Sequence, residues 1–253
     1  MQITFLGTGT GLPTRERAPS GLLVQIRQQR LLFDSGSGTL GRLLAAGSEP
    51  TELDFIYYTH LHTDHTADLI PLLQAMDLAR RSRDLHLTAP CDFWPFLDGL
   101  LALQPWTRPA RFEIARHPAE TAPYSHVSSP ETGPGWTSSA AQTHHAPHSM
   151  GYRLESEGKV MAYSGDAMDC PELVELGRDA ALLILECSYP DQLAQGDHLC
   201  PSQAGRIASL AGARHLVLTH LYPVCHASEI EAQARKVFSG RVTVAHDGLV
   251  LDI

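Results

Sequence analysis

The 253-residue chain predicts an α/β protein in which two β-sheets face each other and helices lie outside them. Three observations carry that prediction. Short β-type runs alternate with segments of helical apolar spacing through both halves of the chain. One run, Ala181-Leu182-Leu183-Ile184-Leu185, is apolar throughout, so both of its faces need cover. No repeat or low-complexity tract interrupts the series, and the length suits a single domain over residues 1–253.

Strands are expected at residues 3–6, 22–27, 31–34 and 55–58, separated by turn-rich segments such as Gly7-Thr8-Gly9-Thr10-Gly11, with two of the strands forming a hairpin. Apolar residues at helical spacing place helices at 41–47 and 66–81. Strands at 85–88 and 111–115 then flank a helix around 93–103. Residues 117–136 are rich in Pro, Ser, Thr and Gly and read as a long surface loop that forms part of the mouth of a site. Short strands follow at 140–143, 151–154 and 160–163. The last series is helix 171–176, buried strand 181–185, helix 201–211, strand 216–218, helix 227–237, and closing strands 242–245 and 249–251.

Composition narrows the function. Lys and Arg total 19 against 28 Asp and Glu, a net charge of −9, so no global field draws in a long polyanion. Any positive site is local, and bound cations would supply it. The amino terminus begins at once as a strand, without a basic segment and apolar signal core, which gives an expectation of a cytoplasmic protein. No apolar stretch approaches the roughly 20 residues that span a bilayer, so no membrane partner is expected. The five cysteines, Cys91, Cys170, Cys187, Cys200 and Cys225, are scattered and lack Cys-x-x-Cys spacing; reduced thiols are expected, and no cysteine nucleophile.

The chemistry concentrates in His60-Leu61-His62-Thr63-Asp64-His65, directly after the apolar run Phe55-Ile56-Tyr57-Tyr58. In extended chain, His60, His62 and Asp64 share a face, whereas His65 requires a turn, so one loop feeds two metal centres. Imidazole and carboxylate suit Zn²⁺, and also Mn²⁺, Fe or Co. A solvated His-rich loop is the plainer alternative, but the strand before and the apolar helix after (Leu69, Ile70, Leu72, Leu73, Met76) favour ligands. His145, Asp166, His198 and His220 are each placed at the carboxyl end of a predicted strand, where α/β folds gather functional loops. Taken singly, Asp166 is equally a turn cap and His220 a hydrogen-bonded core edge.

These residues resemble the metallo-β-lactamase superfamily over nearly the whole chain. The likeness lies in Phe5-Leu6-Gly7-Thr8-Gly9-Thr10-Gly11-Leu12-Pro13, Leu32-Phe33-Asp34-Ser35-Gly36, the His-x-His-x-Asp-His loop, His145, Ser164-Gly165-Asp166 and Leu218-Thr219-His220. Within it, the chain looks most like the ribonuclease Z branch and its shorter relatives, the cyclic-nucleotide phosphodiesterases of phosphonate metabolism included. The resemblance implies an αββα sandwich, two facing mixed sheets with helices on the outer faces, and two divalent metal ions between the sheets, Zn²⁺ first and Mn²⁺ or Fe as alternatives. It implies that His60, His62 and His145 hold one metal, that Asp64, His65 and His220 hold the other, and that Asp166 bridges. His145 is chosen over His144 and His148 because the family's ligand stands six residues before the Gly-Tyr pair, here Gly151-Tyr152; roles for His144 and His148 stay open between site-facing and surface positions.

A metal pair of this kind shares a water, which becomes the nucleophile. Asp64, ionised beside a cation, both ligates and orients that water as a catalytic group. Asp34 is read either as the carboxylate behind a ligand imidazole or as a turn residue. His198, in Gly196-Asp197-His198-Leu199-Cys200-Pro201-Ser202, matches the family's histidine that faces the scissile phosphate, and so is expected to protonate the leaving oxygen. The helix begun near Ser202 offers backbone N–H groups to an anion.

One departure stands out. Transfer-RNA-processing members carry a protruding arm of several tens of residues between the third metal histidine and the bridging aspartate, whereas that interval here is only 21 residues (166 − 145) and reads as a hairpin around Glu155-Ser156-Glu157-Gly158-Lys159. With the acidic balance, this ranks a small, for example cyclic, phosphodiester first as substrate, and argues against a long nucleic acid as partner. Ribonuclease Z-like 3′-processing comes second, beside hydrolysis of a lactone, thioester, sulfate ester or β-lactam on the same fold. A flavodiiron-type reductase would want an acid where His62 stands and an attached flavin domain. A non-enzymatic scaffold would have lost ligands, and all seven candidates are present. A homodimer is an expectation of the resemblance alone; no segment locates an interface.

Overall fold

The computed structural model describes residues 1–119, 126–127 and 135–253. Two seven-stranded sheets make the frame. The first has the order β14-β1-β2-β3-β4-β5-β6, built from β1 (Gln2–Gly7), β2 (Gly21–Ile26), β3 (Gln29–Phe33), β4 (Leu53–Tyr57), β5 (Leu85–Ala89), β6 (Ile114–Pro118) and the returning β14 (Val250–Asp252). The second has the order β13-β12-β11-β10-β9-β8-β7, from β7 (His126–Val127), β8 (Trp136–Gln142), β9 (Met150–Ser156), β10 (Lys159–Tyr163), β11 (Leu182–Glu186), β12 (His215–Thr219) and β13 (Arg241–Val244). Both sheets mix parallel and antiparallel pairs.

Strand alternation sorts side chains into layers. Along β11, Leu182 and Ile184 join the apolar cluster between the sheets, where they meet Ile3, Phe5, Val24 and Phe33 of the first sheet. Leu183 and Leu185 point the other way and pack under α5 (Pro171–Leu176), α6 (Pro201–Ala211) and α7 (Ala227–Arg235). The mirror arrangement covers the first sheet with α1 (Thr39–Ala45), α3 (Leu69–Leu78) and α4 (Phe93–Leu103). The fully buried strand is thus covered on both faces, and the four layers run helix, sheet, sheet, helix.

Two expected elements shift. The helix expected at 66–81 splits into α2 (Thr63–Thr66) and α3. The break is held by Asp68: its backbone N–H donates to the Ser35 carbonyl at 2.8 Å, and its carboxylate accepts the Leu40 N–H at 2.8 Å. The strand expected at 111–115 begins only at Ile114, because the Ala110 and Arg111 N–H groups donate to the Asp77 carboxylate at the end of α3 instead of joining the sheet. Of the loop expected at 117–136, His117 and Pro118 complete β6, residues 126–127 pair with β8, and Trp136 opens β8; residues 120–125 and 128–134 lie outside the described residues.

Strand direction then decides where chemistry collects. The carboxyl ends of β3, β4, β8, β10, β11 and β12 all open on one edge of the sandwich, the place where open α/β sheets leave a crevice. Among the described residues no helix is long and apolar enough to cross a membrane.

Candidate metal centre

All seven residues expected as ligands converge on this edge. They form two groups that share one carboxylate: His60, His62, His145 and Asp166 in the first, Asp64, His65, Asp166 and His220 in the second, with the donor atoms of each group within 4.8 Å of one another. Alternation along an extended chain, which set His60, His62 and Asp64 on one face, fails at Asp64. Helix α2 begins at Thr63, and its first turn swings Asp64 away from His60 and His62 to stand with His65.

Position in the fold explains each donor. His60 and His62 stand three and five residues past β4, His145 three past β8, Asp166 three past β10, and His220 immediately after β12. His198 does not end a strand as expected. It lies on the connection from β11 to α6, where residues Asp191–Leu193 make a 3-10 turn and find no neighbouring strand.

Hydrogen bonds fix which nitrogen each ring presents. His65 Nδ1 lies 2.8 Å from Asp34 Oδ2, so its Nε2 faces Asp166 Oδ1 at 3.2 Å. Asp34 is therefore the carboxylate behind a ligand-type imidazole, and it is itself held by the Thr59 N–H (2.9 Å) and the Tyr163 hydroxyl (3.0 Å). The His145 Nδ1–H donates to the Asp197 carbonyl at 2.9 Å, which leaves Nε2 bare, 3.2 Å from His62 Nδ1 and 3.6 Å from Asp166 Oδ2. His220 Nδ1 meets Ser188 Oγ at 3.0 Å, and its Nε2 lies 3.3 Å from both Asp64 and Asp166.

Close backbone approach tightens the floor. A Cβ on Gly36 would lie 2.1 Å from the Asp64 carbonyl oxygen, and one on Gly165 2.6 Å from Thr59 Cβ, so neither position admits a side chain as built. Asp34 and His220 both adopt left-handed backbone (φ 57° and 56°), a cost of about 1–3 kcal/mol that concentrates at functional sites.

Electrostatics match a cation site. His60 Nε2, His65 Nε2 and Asp166 Oδ1 are buried and have no hydrogen-bond partner. Buried polar atoms rarely stay unpaired, and these three point into the same small space, which a divalent metal fits. Burial pushes His60 well below the usual histidine value. Burial also works against a charged His65, but the flanking Asp166 and Asp34 carboxylates outweigh it and hold the ring well above that value. Asp166, where burial is opposed by the His220 and His65 imidazoles, lies well below the usual carboxylate range.

One functional residue escaped the sequence reading. Glu186 ends the apolar strand β11, is fully buried, and its Oε1 lies 2.7 Å from His198 Nδ1, while its Oε2 accepts the Ser188 hydroxyl at 2.9 Å. Burial lowers the His198 basicity, but the Glu186 hydrogen bond and charge raise it to about 9. His198 also packs on His145 (4.7 Å between ring centres) and on His220 (5.6 Å), so the pair sits at the rim of the metal site. A lone acid ending an apolar strand was the available signal, since a carboxylate there needs a buried partner. His144 and His148 are exposed and belong to neither of the two four-residue groups joined at Asp166. Beside His62 and Asp64 opens a groove of about 530 Å³, walled by Gly11, Pro13, Pro19, Leu61 and Ala67.

Comparison with known proteins agrees with this geometry. The beta-lactamase superfamily domain profile matches residues 29–221. Ribonuclease Z from Methanosarcina acetivorans is 30% identical over 309 aligned residues, which cover 100% of this chain and 98% of the relative. Among solved structures, the metallo-beta-lactamase fold protein YhfI from Bacillus subtilis superposes with a TM-score of 0.85 at 27% identity, covering 99% of this chain and 98% of that one. The short form of human tRNase Z gives 0.82 at 25% identity, covering 100% and 99%. With the profile spanning most of its length and the ribonuclease Z likeness all of it, the chain belongs to the beta-lactamase superfamily.

Proposed function

We propose that this hydrolase uses two divalent metal ions to cleave a small phosphodiester, such as a cyclic nucleotide. The observation that carries the reading is the pair of donor groups joined at Asp166, because two adjacent cations suit the in-line displacement of phosphoryl transfer. His60, His62 and His145 with Asp166 would hold one cation; Asp64, His65 and His220 with Asp166 would hold the other. Zn²⁺ suits the five imidazoles and two carboxylates best, and Mn²⁺ or Fe would be accepted by the same donors. When bound, two such ions activate a water and neutralise charge on the attacking and leaving oxygens.

The chain's own groups do the rest. Asp64 is held ionised by its hydrogen bond to His220, against the cost of its burial, and orients the attacking water. His198, anchored through Nδ1 on Glu186, hands a proton from Nε2 to the leaving oxygen, a contribution of about 10²–10⁴-fold. The groove beside Asp64 seats the organic part of the substrate. Its lining includes no Lys or Arg among the described residues, which suits a singly charged diester over a polyphosphate.

Ribonuclease Z-like cleavage of precursor transfer RNA is the second reading, favoured by the full-length likeness to curated ribonuclease Z. Against it stands the hairpin where the arm belongs: β9 and β10 pair without a break up to Ser156 opposite Lys159. The Methanosarcina alignment is also 309 − 253 = 56 residues longer than this chain, so that relative carries segments absent here.

Metal-reconstituted protein assayed on bis-p-nitrophenyl phosphate, a 2′,3′-cyclic nucleotide and a precursor transfer RNA with a 3′ trailer separates the two. Faster turnover of the small diesters is expected. Faster trailer removal would replace the proposal by the RNA reading, and inertness on all three with cleavage of a lactone or thioester would overturn both.

A further inference from the structure

We propose that His144, Cys170 and Glu172 form a third divalent-metal site, which fastens the loop carrying His145 to the loop carrying Asp166. Each of the three side chains turns one ligand atom toward the others, within 4.8 Å of one another. His144 Nε2 and Glu172 Oε2 are 3.6 Å apart, too far for a good hydrogen bond and near the separation of two atoms on one cation. That same Glu172 oxygen is buried without a hydrogen-bond partner. Cys170 contributes a buried free thiol. Thiolate, imidazole and carboxylate together are a zinc-type donor set, and three protein ligands leave the fourth position to water.

Backbone geometry builds the cluster from parts that already serve the main centre. His144 and His145 are adjacent, and only His145 belongs to the dinuclear groups. The His144 carbonyl accepts the Met168 N–H at 2.7 Å, and the Thr143 hydroxyl donates to the Asp166 carbonyl at 3.4 Å, so the two loops already touch. Four residues past Asp166, Cys170 opens α5, whose first turn carries Glu172. A cation held by all three closes a ring through both loops and limits how far His145 and Asp166 can separate. His144 is exposed and Glu172 half-exposed, so such a cation sits at the surface and exchanges with solvent more readily than one at the buried centre.

This inference does not depend on the substrate, and its test does not use turnover. The seven residues of the dinuclear centre include no cysteine, so a sulfur-to-metal charge-transfer band in the Co²⁺-substituted protein reports a thiolate ligand that the main site cannot supply. Wild-type protein titrated with Co²⁺ is expected to take up about three equivalents, the band growing with the weakest of them. Cys170→Ser, nearly isosteric, should lose the band and bind about two. Glu172→Gln, which leaves the thiol in place, should weaken the last equivalent at least about tenfold, the smallest loss typical when a partner of a metal site is removed. Two equivalents without a band in the wild type, or a band that survives Cys170→Ser, overturns the proposal. Failure of the dinuclear reading would look different, as loss of the two equivalents that give no band.

Discussion

Four of the proposed donors, His60, His62, Asp64 and His65, leave the first sheet through the single connection after β4, whereas His145, Asp166 and His220 leave the second sheet through three connections after β8, β10 and β12. The bracing differs accordingly. Under the first set lies one buried carboxylate, Asp34, which holds His65 directly and the Thr59 backbone next to His60. The two second-sheet imidazole donors are braced separately, His145 by the Asp197 carbonyl and His220 by the Ser188 hydroxyl, which in turn bonds the Glu186 that holds His198. Contiguous donors can share a brace because one short turn fixes their relative positions. Distant donors rely on the rigidity of separate strand ends, and the imidazoles among them are held by different partners.

The strongest test of this contrast is the residue that belongs to both halves of the centre. Asp166→Ala removes the shared carboxylate and leaves His65 and His60 without their common counter-charge. Loss of both metals is expected, and a fall in activity beyond the roughly 10²–10⁴-fold that a general acid accounts for. Metal analysis showing one ion retained at full strength would mean that the two halves assemble independently.

A smaller and more selective loss is expected on the second sheet alone. His198→Ala should lower turnover of diesters with alkoxide leaving groups by about 10²–10⁴-fold while both metals stay bound. With p-nitrophenolate as leaving group, which departs without a proton, the loss should shrink markedly. Equal losses for both leaving groups would reduce His198 to a structural role, and loss of metal would make it a ligand.

On the first sheet, Asp34→Asn keeps the shape but removes the charge behind His65. Metal affinity in the Asp64–His65–His220 position should weaken about 10–100-fold, with the other position less affected. Competition with a chelator, followed for each equivalent separately, measures this. Uniform weakening of both would show that the brace under the first set supports the whole centre.

The same contrast explains what the sequence made legible. Donors packed into six residues announce themselves, and the strands and helices around them follow from apolar spacing; α4, α5 and α6 fall where that spacing puts them. What failed were features decided by contacts distant in sequence. The break at residues 67–68 depends on Ser35 and Leu40, and the late start of β6 on Asp77. Alternation alone puts Asp64 with His60 and His62 because it runs period two into a helix that begins at Thr63, whereas the family resemblance places it with His65 and His220, where it stands. Glu186 was passed over because an acid ending an apolar strand looks like a residue about to meet solvent; only the chain from β11 to α6, folding back to bring His198 within 2.7 Å, gives it a buried partner. His144, whose role the sequence leaves open between a site-facing and a surface position, gains a context only from Cys170 and Glu172 beside it.

Acid stability should distinguish the sheets most gently. His215, at the start of β12 and far along the strand from the metal edge, is buried with Nε2 2.8 Å from Thr243 Oγ1, and burial with the nearby Arg241 lowers its basicity to about 4. In the unfolded chain the ring returns to its ordinary value near 6.5. Between those values the unfolded state takes up a proton that the folded state refuses, so the stabilising contribution is complete above pH 6.5 and is lost as pH falls towards 4. After discounting for solvent near the ring, about 1 kcal/mol is at stake. Chemical denaturation of the metal-free protein at pH 7.5 and 4.5 should therefore show a smaller drop for His215→Gln than for the wild type. An unchanged drop would rule out His215 as a source of acid sensitivity in this range; Asp166 and Asp64, held well below the usual carboxylate range, lose their ionic partnerships only at still lower pH.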